Sequence, residues 1–233
     1  MKIIALECRL LQQDFLKFIG LIFSIPILEF LLFAGNGIIS PEWTTSEVLG
    51  LLYGSVNNYP MNWIYWIFLS FGFLIQLQIV WKPTVHTFEL YQLLRYKNAS
   101  LYWWSKMIVG FLFTVFYLLC NIAVIFVGSL FFHAQAAWDF QWLILLMSLT
   151  FNFYVHALLW LTLKLYTLVE VANIVIALLF YAGARIVEPY IPLYYGMKEN
   201  VHGYLLLVMV LEWLVILLLA ALIIRKAKRM DFN

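Results

Sequence analysis

The feature that most constrains this chain is a series of apolar runs of roughly transmembrane length, broken by short polar stretches. A helix rises about 1.5 Å per residue, so about 20 apolar residues cross a hydrocarbon layer about 30 Å thick. Six runs qualify: Phe15–Gly35, Met61–Trp81, Trp104–Phe132, Phe140–Leu163, Tyr166–Ile186 and Gly203–Ile224. Hydrophobic residues make up 65% of the chain and charged residues 11%. A water-soluble domain cannot hide that much apolar surface. The expected class is an all-α polytopic membrane protein with six transmembrane helices in a single transmembrane domain, residues 1–233. Only Lys164 and Leu165 separate the fourth run from the fifth, so that connection must be tight.

Basic residues orient the spans, because cytoplasmic loops retain Lys and Arg. With the N-terminus inside, twelve of the 14 Lys and Arg fall on the cytoplasmic side, and Arg185 and Lys198 fall outside. Both termini are therefore expected in the cytoplasm. A net charge of +2 is too small to argue for a nucleic-acid partner. Residues 1–14 alternate Ile3, Ile4, Leu6, Leu10 and Leu11 with charged and polar positions, the pattern of an amphipathic helix lying in the interface. Only four apolar residues separate Lys2 from Glu7, too few for a cleavable signal. Cys8 and Cys120 read as small buried hydrophobes, and the Asn98-Ala99-Ser100 sequon lies on the side where no glycan is added. On the outside, Thr44 and Glu47 have capping-box spacing before Val48–Tyr53, predicting a short helix. Pro189 and Pro192 predict a bent segment over Val187–His202.

No catalytic constellation is present: neither HExxH, nor GxSxG, nor a phosphate-binding GxxxxGK[S/T] loop occurs. His86, His133, His156 and His202 lie in four separate places without metal-ligand spacing. The chain is thus expected to be no enzyme by itself and to hold no metal. What remains is polar side chains at membrane depth. Thr114, Tyr117 and Asn121 share a face of the third span, Ser148, Asn152 and His156 of the fourth, and Tyr166, Glu170 and Asn173 of the fifth. Interhelical hydrogen bonds, worth about 0.6 kcal/mol each, are the plain reading. A polar path is the functional one, with Glu29, Asn121, Asn152, His156, Glu170 and Glu212 as candidates. A carboxylate at the helix centre costs about 2.5–3.5 kcal/mol on insertion scales. Glu29, in the outer half of the first span, has Arg185 at matching depth as a candidate partner; Glu212, near the middle of the sixth, has none.

The cytoplasmic segment 84–103 carries the most information. Thr84–Lys97 reads as an amphipathic helix, with Phe88, Tyr91 and Arg95 on one face and Leu90, Leu93, Leu94 and Lys97 on another. Trp103 and Trp104 follow, placing the entry of the third span at headgroup level. A helix merely resting on lipid would show the same pattern.

Leu93-Leu94-Arg95-Tyr96, Trp103-Trp104-Ser105-Lys106 and the basic exit Ile224–Phe232 together resemble the membrane subunit of a type-two ABC exporter, the permease class of small bacterial efflux and bacteriocin-immunity systems. Met230 separates Arg229 from Asp231, a departure from that family's basic ending. The resemblance implies a half-transporter in the bacterial cytoplasmic membrane, pairing with an identical or homologous permease chain. It implies ATP-binding subunits that carry ATP and Mg and dock on Phe88, Leu90, Tyr91, Leu93, Leu94, Arg95, Tyr96 and Lys97, this chain itself binding no cofactor. It also implies short re-entrant helices after the fifth span, and export of an amphipathic peptide or hydrophobic compound. Two other readings stay open. One is an ion- or proton-coupled transporter using Glu29, Glu170 and Glu212; the other is a non-transporting scaffold or an unfamiliar intramembrane enzyme.

Overall fold

The computed structural model describes residues 15–37, 39–40, 42–81, 99–132, 134–137 and 140–229. The interfacial helix expected over residues 1–14 and the coupling positions Phe88, Leu90, Tyr91, Leu93, Leu94, Arg95, Tyr96 and Lys97 lie outside the described residues. The described chain is helical: α1 Phe15–Gly35, α2 Thr45–Tyr53, α3 Asn62–Trp81, α4 Ala99–Phe131, α5 Phe140–Tyr166, α6 Val169–Arg185 and α7 Leu205–Arg229. Short 3-10 turns cover Val56–Asn58, Pro192–Gly196 and Lys198–Val201. Helices α3, α4, α5 and α7 are long and apolar enough to cross a membrane, as expected of a multi-pass membrane protein.

Some boundaries differ from the hydropathy reading. Helix α4 begins at Ala99 rather than Trp104, because nothing in Ala99–Trp103 breaks a helix and Tyr102 and Trp103 find buried positions. Helix α5 runs on to Tyr166, and the tight connection falls at Thr167–Leu168, one turn later than Lys164–Leu165. There the Thr167 hydroxyl donates to Leu163 O at 2.7 Å, and Leu168 is extended (φ −92°, ψ 154°) before α6 starts.

Helix α5 is the hub, packing against α2, α4, α6, α7 and the Pro192–Gly196 turn. Around it an aromatic stack links three helices. Phe73 meets Phe153 edge-on at 5.1 Å, Phe153 stacks on Phe180 at 5.6 Å, and Phe180 also carries the His156 ring at 4.8 Å. Near the far end of α5, Trp81 stacks on Trp160 at 5.6 Å and donates through Nε1 to Lys106 O at 3.2 Å. Gly110 makes this approach possible, since a Cβ there would collide with the Trp81 ring.

One end of the bundle is covered by the connecting segments. The capping box forms: Thr44 Oγ1 accepts from Glu47 N at 3.2 Å, and the Glu47 carboxylate accepts from Thr44 N at 2.7 Å. The Thr44 N–H foremost, together with the Thr44 hydroxyl that donates to the same carboxylate at 2.9 Å, holds the Glu47 carboxyl below its ordinary range. Helix α2 then buries Val48, Leu49, Leu52 and Tyr53. Backbone bonds from Gln135 N to Trp43 O (2.7 Å) and from Glu199 N to Gly54 O (3.1 Å) tie α2's flanks to both other segments at this end. Thus α2 is the keystone of the covered end.

Candidate functional site

The site is built where α5 and α7 meet the turn Pro192–Gly196. Pro192 starts that turn and, having no N–H, ends the extended stretch after α6. Its carbonyls would be orphaned inside the protein without donors. The α5 stripe supplies them: Asn152 Nδ2 donates to Pro192 O at 2.8 Å, and Ser148 Oγ reaches Gly196 O at 3.3 Å and Tyr195 O at 3.4 Å. Contact is close enough that a Cβ on Gly196 would lie 2.9 Å from Asn152 Cγ. From α6, Gly183 gives Leu193 the same room.

The second hydrogen of the Asn152 amide goes to Glu212 Oε1, at 2.8 Å. Both N–H groups of one side chain are therefore used, one on the turn and one on α7. Glu212 is 7% exposed, and its Oε2 has no hydrogen-bond partner; Asn152 Oδ1 has none either. Both residues line a cavity of about 580 Å³ whose remaining wall includes Leu159, Tyr190, Pro192, Tyr195 and Val215. The wall is apolar except at Glu212, Asn152 and the two tyrosines. Such a cavity can hold an apolar body and offer it one carboxyl group.

The other candidate path residues fall elsewhere. His156, one turn beyond Asn152, donates its Nδ1–H to Asn152 O at 2.8 Å and packs on Phe180, while its buried Nε2 has no partner. Glu29, within α1, is fully buried, and neither carboxyl oxygen has a hydrogen-bond partner. The Tyr53 and Tyr117 phenols face it. Asn121 belongs to this second cluster through its neighbour, donating to Tyr117 O at 2.8 Å, while Tyr117 donates to Leu69 O at 2.8 Å. Glu170 is exposed on the first turn of α6. Asn173, from the same stripe, accepts from Trp160 Nε1 at 2.7 Å and from Gln78 Nε2 at 3.0 Å, which makes it a three-helix fastener. Thus Asn152 and Glu212 come together, whereas Glu29 and Asn121 form a separate cluster and Glu170 stands apart.

The pairing of Arg185 with Glu29 does not form. Arg185 lies over the Trp63 ring, 4.5 Å from its centroid, where cation–π attraction replaces an ion pair. Matching depth along two helices says nothing about their azimuth, and here α2 stands beside Glu29 instead. The tyrosines Tyr190 and Tyr195 were not legible as site residues. Their only signal was the aromatic content of the bent segment around Pro189 and Pro192.

Among the described residues no group of three or more His, Cys, Asp or Glu is placed to hold a metal ion. Comparison with protein-family models, curated proteins and solved structures gives no match.

Proposed function

We propose that this chain is the permease subunit of an ATP-driven exporter of the bacterial cytoplasmic membrane, moving an amphipathic or hydrophobic compound outward. The observation that carries the reading is the α5–α7 cavity: apolar walls, a single buried carboxyl, and a 3-10 turn folded back onto the bundle after α6. The resemblance of the 93–106 and 224–232 segments to type-two ABC permeases points the same way.

The full topology belongs to this proposal. Helices α1, of 21 residues, and α6, of 17, join the four longer ones as spans. At about 1.5 Å per residue α6 covers about 25 Å, a little short of the hydrocarbon layer. The turns from Pro192 to Val201 fill the remaining depth with buried Leu193, Met197 and Val201. Lys106, Lys164 and Arg225–Arg229 all sit at the end opposite α2, and Arg185 and Lys198 at the α2 end. By the positive-inside rule the α2 end is external and the termini are cytoplasmic.

In this reading the segment Thr84–Lys97 docks on a separate ATP-binding subunit, and a second permease chain completes the transporter. The test is purification of the tagged chain from its own membranes in mild detergent, followed by azido-ATP labelling. A labelled polypeptide should copurify in stoichiometric amount. Leu93→Asp with Leu94→Asp should abolish it, because burying a leucine is worth about 1.5–3 kcal/mol. Lys97→Ala should weaken it only slightly, a rim charge being worth about 0.2–1 kcal/mol. A proton-coupled carrier is the second reading, favoured by the carboxyl of Glu212 on the cavity wall. Transport by the chain alone in vesicles, driven by a pH gradient without ATP, would establish that reading in place of the first.

A further inference from the structure

We propose that the α5–α7 cavity is a binding site for a monovalent cationic amphiphile, an apolar body carrying one protonated amine that pairs with Glu212. This names a substrate class for the exporter and rests on that reading.

An ionised carboxyl at membrane depth needs a cation or a wet surrounding, yet the hydrogen-bond partner of Glu212 is the neutral Asn152 amide, which reaches Oε1 alone. The nearest basic residue further along α7 is Arg225, thirteen residues on and so about 20 Å away. Lys198 is held by the Gln141 side chain, eleven residues along α5 from Asn152, or about 16 Å. Oε2 is left without a partner, and so is Asn152 Oδ1. Two buried acceptors without a donor thus belong to side chains that line a cavity of about 580 Å³, and one of them is on a carboxyl that only a cation brought into the cavity would hold ionised.

An ammonium group complements that arrangement. It brings the missing positive charge and up to three N–H donors, whereas a neutral apolar molecule would leave both oxygens unsatisfied. The terminal torsion of a glutamate is soft, so Oε2 can turn toward the ligand while Oε1 keeps its bond to Asn152. The tyrosine rings on the wall favour a cation as well. Leu159, Val215 and their neighbours then take the apolar body. Leu211, Leu214 and Leu218 of α7 line the cavity and are exposed, so a ligand partitioned into the membrane can reach it without crossing the covered end.

The test uses the full-length purified chain in lipid nanodiscs, without ATP or an ATP-binding subunit. Three fluorescent probes share a dansyl-pentyl body and end in a primary ammonium, a trimethylammonium or an uncharged methyl group. For the natural sequence the ammonium probe should bind at least tenfold more tightly than the methyl probe, with the trimethylammonium between them. In Glu212→Gln the preference should fall to about twofold or less, while the methyl probe's affinity stays put. Glu212→Asp should restore part of the preference. Val215→Trp, which fills the cavity, should weaken all three probes. An unchanged preference in Glu212→Gln, or none in the natural chain, would overturn the proposal. So would a cavity closed to every probe because a second copy or a lipid covers it, revealed by a dimer mass or by lipid that copurifies with the natural chain and is lost in Val215→Trp. Loss of the copurifying ATP-binding subunit would instead sink the exporter reading and leave this binding result standing.

Discussion

Removing the Asn152 side chain tests the arrangement of α5, α7 and the Pro192–Gly196 turn most directly. Its amide uses both hydrogens, at 2.8 Å to Pro192 O and 2.8 Å to Glu212 Oε1. Hydrogen bonds between membrane helices average about 0.6 kcal/mol and reach about 1.7. Asn152→Ala, which loses two, should therefore cost about 1–3 kcal/mol. For a chain of this size that corresponds to a fall of roughly 3–10 °C in the unfolding midpoint. Ser148→Ala loses only contacts of 3.3 and 3.4 Å and should fall by less than the lower end of that range. Asn152→Asp should be worse than alanine, because an acceptor would then face a carbonyl and a carboxyl. Combining Asn152→Asp with Glu212→Gln restores a donor on one side only, so about half the loss should return. The assay is thermal unfolding in nanodiscs followed by size-exclusion fluorescence. Equal effects of Asn152→Ala and Ser148→Ala, or no recovery in the double variant, would refute the two-bond account.

Three further outcomes are expected. The Glu47 carboxyl, held below its ordinary value of 4.5 by the Thr44 N–H and hydroxyl, contributes stability that is complete above that value and is lost as pH falls through the lowered one. Glu47→Gln should therefore flatten the acid limb of the unfolding midpoint against pH, and an unchanged limb would place the acid sensitivity elsewhere. Gly110→Ala should cost about 1–3 kcal/mol through overpacking against Trp81, and Trp81→Leu in the same chain should recover part of it in the same thermal assay. A reporter active only in the cytoplasm should work when fused after Asn233 or inserted at Asn98 and fail at Asn57; the reverse at any site would break the six-span topology.

What could be read from the sequence was mostly local. Thr44 and Glu47 sit three residues apart, and their reciprocal hydrogen bonds need nothing from the rest of the chain. The Ser148–Asn152–His156 stripe was likewise visible, because a helix places every fourth residue on one face. Its partners were not: the accepting carbonyls lie 40 to 48 residues further on. They exist only because Pro192 and Gly196 bring a turn against α5. Glu212 was identifiable as a carboxyl without a cation, but its bond to Asn152 spans 60 residues and depends on how α7 is rotated. The Arg185–Glu29 expectation failed for a related reason. Depth can be counted along a helix, whereas direction around it is set by neighbours such as α2 and Trp63.

Asn152 also bears on the cavity as a positioning residue, and this separates a ligand site from a fastening that happens to adjoin a void. Its amide fixes Oε1 of Glu212 and leaves Oε2 free, so a cation can engage the carboxyl without releasing the Pro192–Gly196 turn. Asn152→Ala keeps the charge but frees the carboxyl to adopt other rotamers, and it also removes Oδ1. The ammonium probe should then lose a few-fold in affinity, less than in Glu212→Gln, because the charge persists. The trimethylammonium probe, which cannot donate hydrogen bonds, should lose less than the ammonium probe. Asn152→Gln, with an amide one carbon longer beside Gly196, should not rescue, since a Cβ at Gly196 already has only 2.9 Å to Asn152 Cγ. If Asn152→Ala weakened all three probes equally, the residue would be shaping the cavity through the turn alone. If it weakened none, Asn152 would have no part in binding.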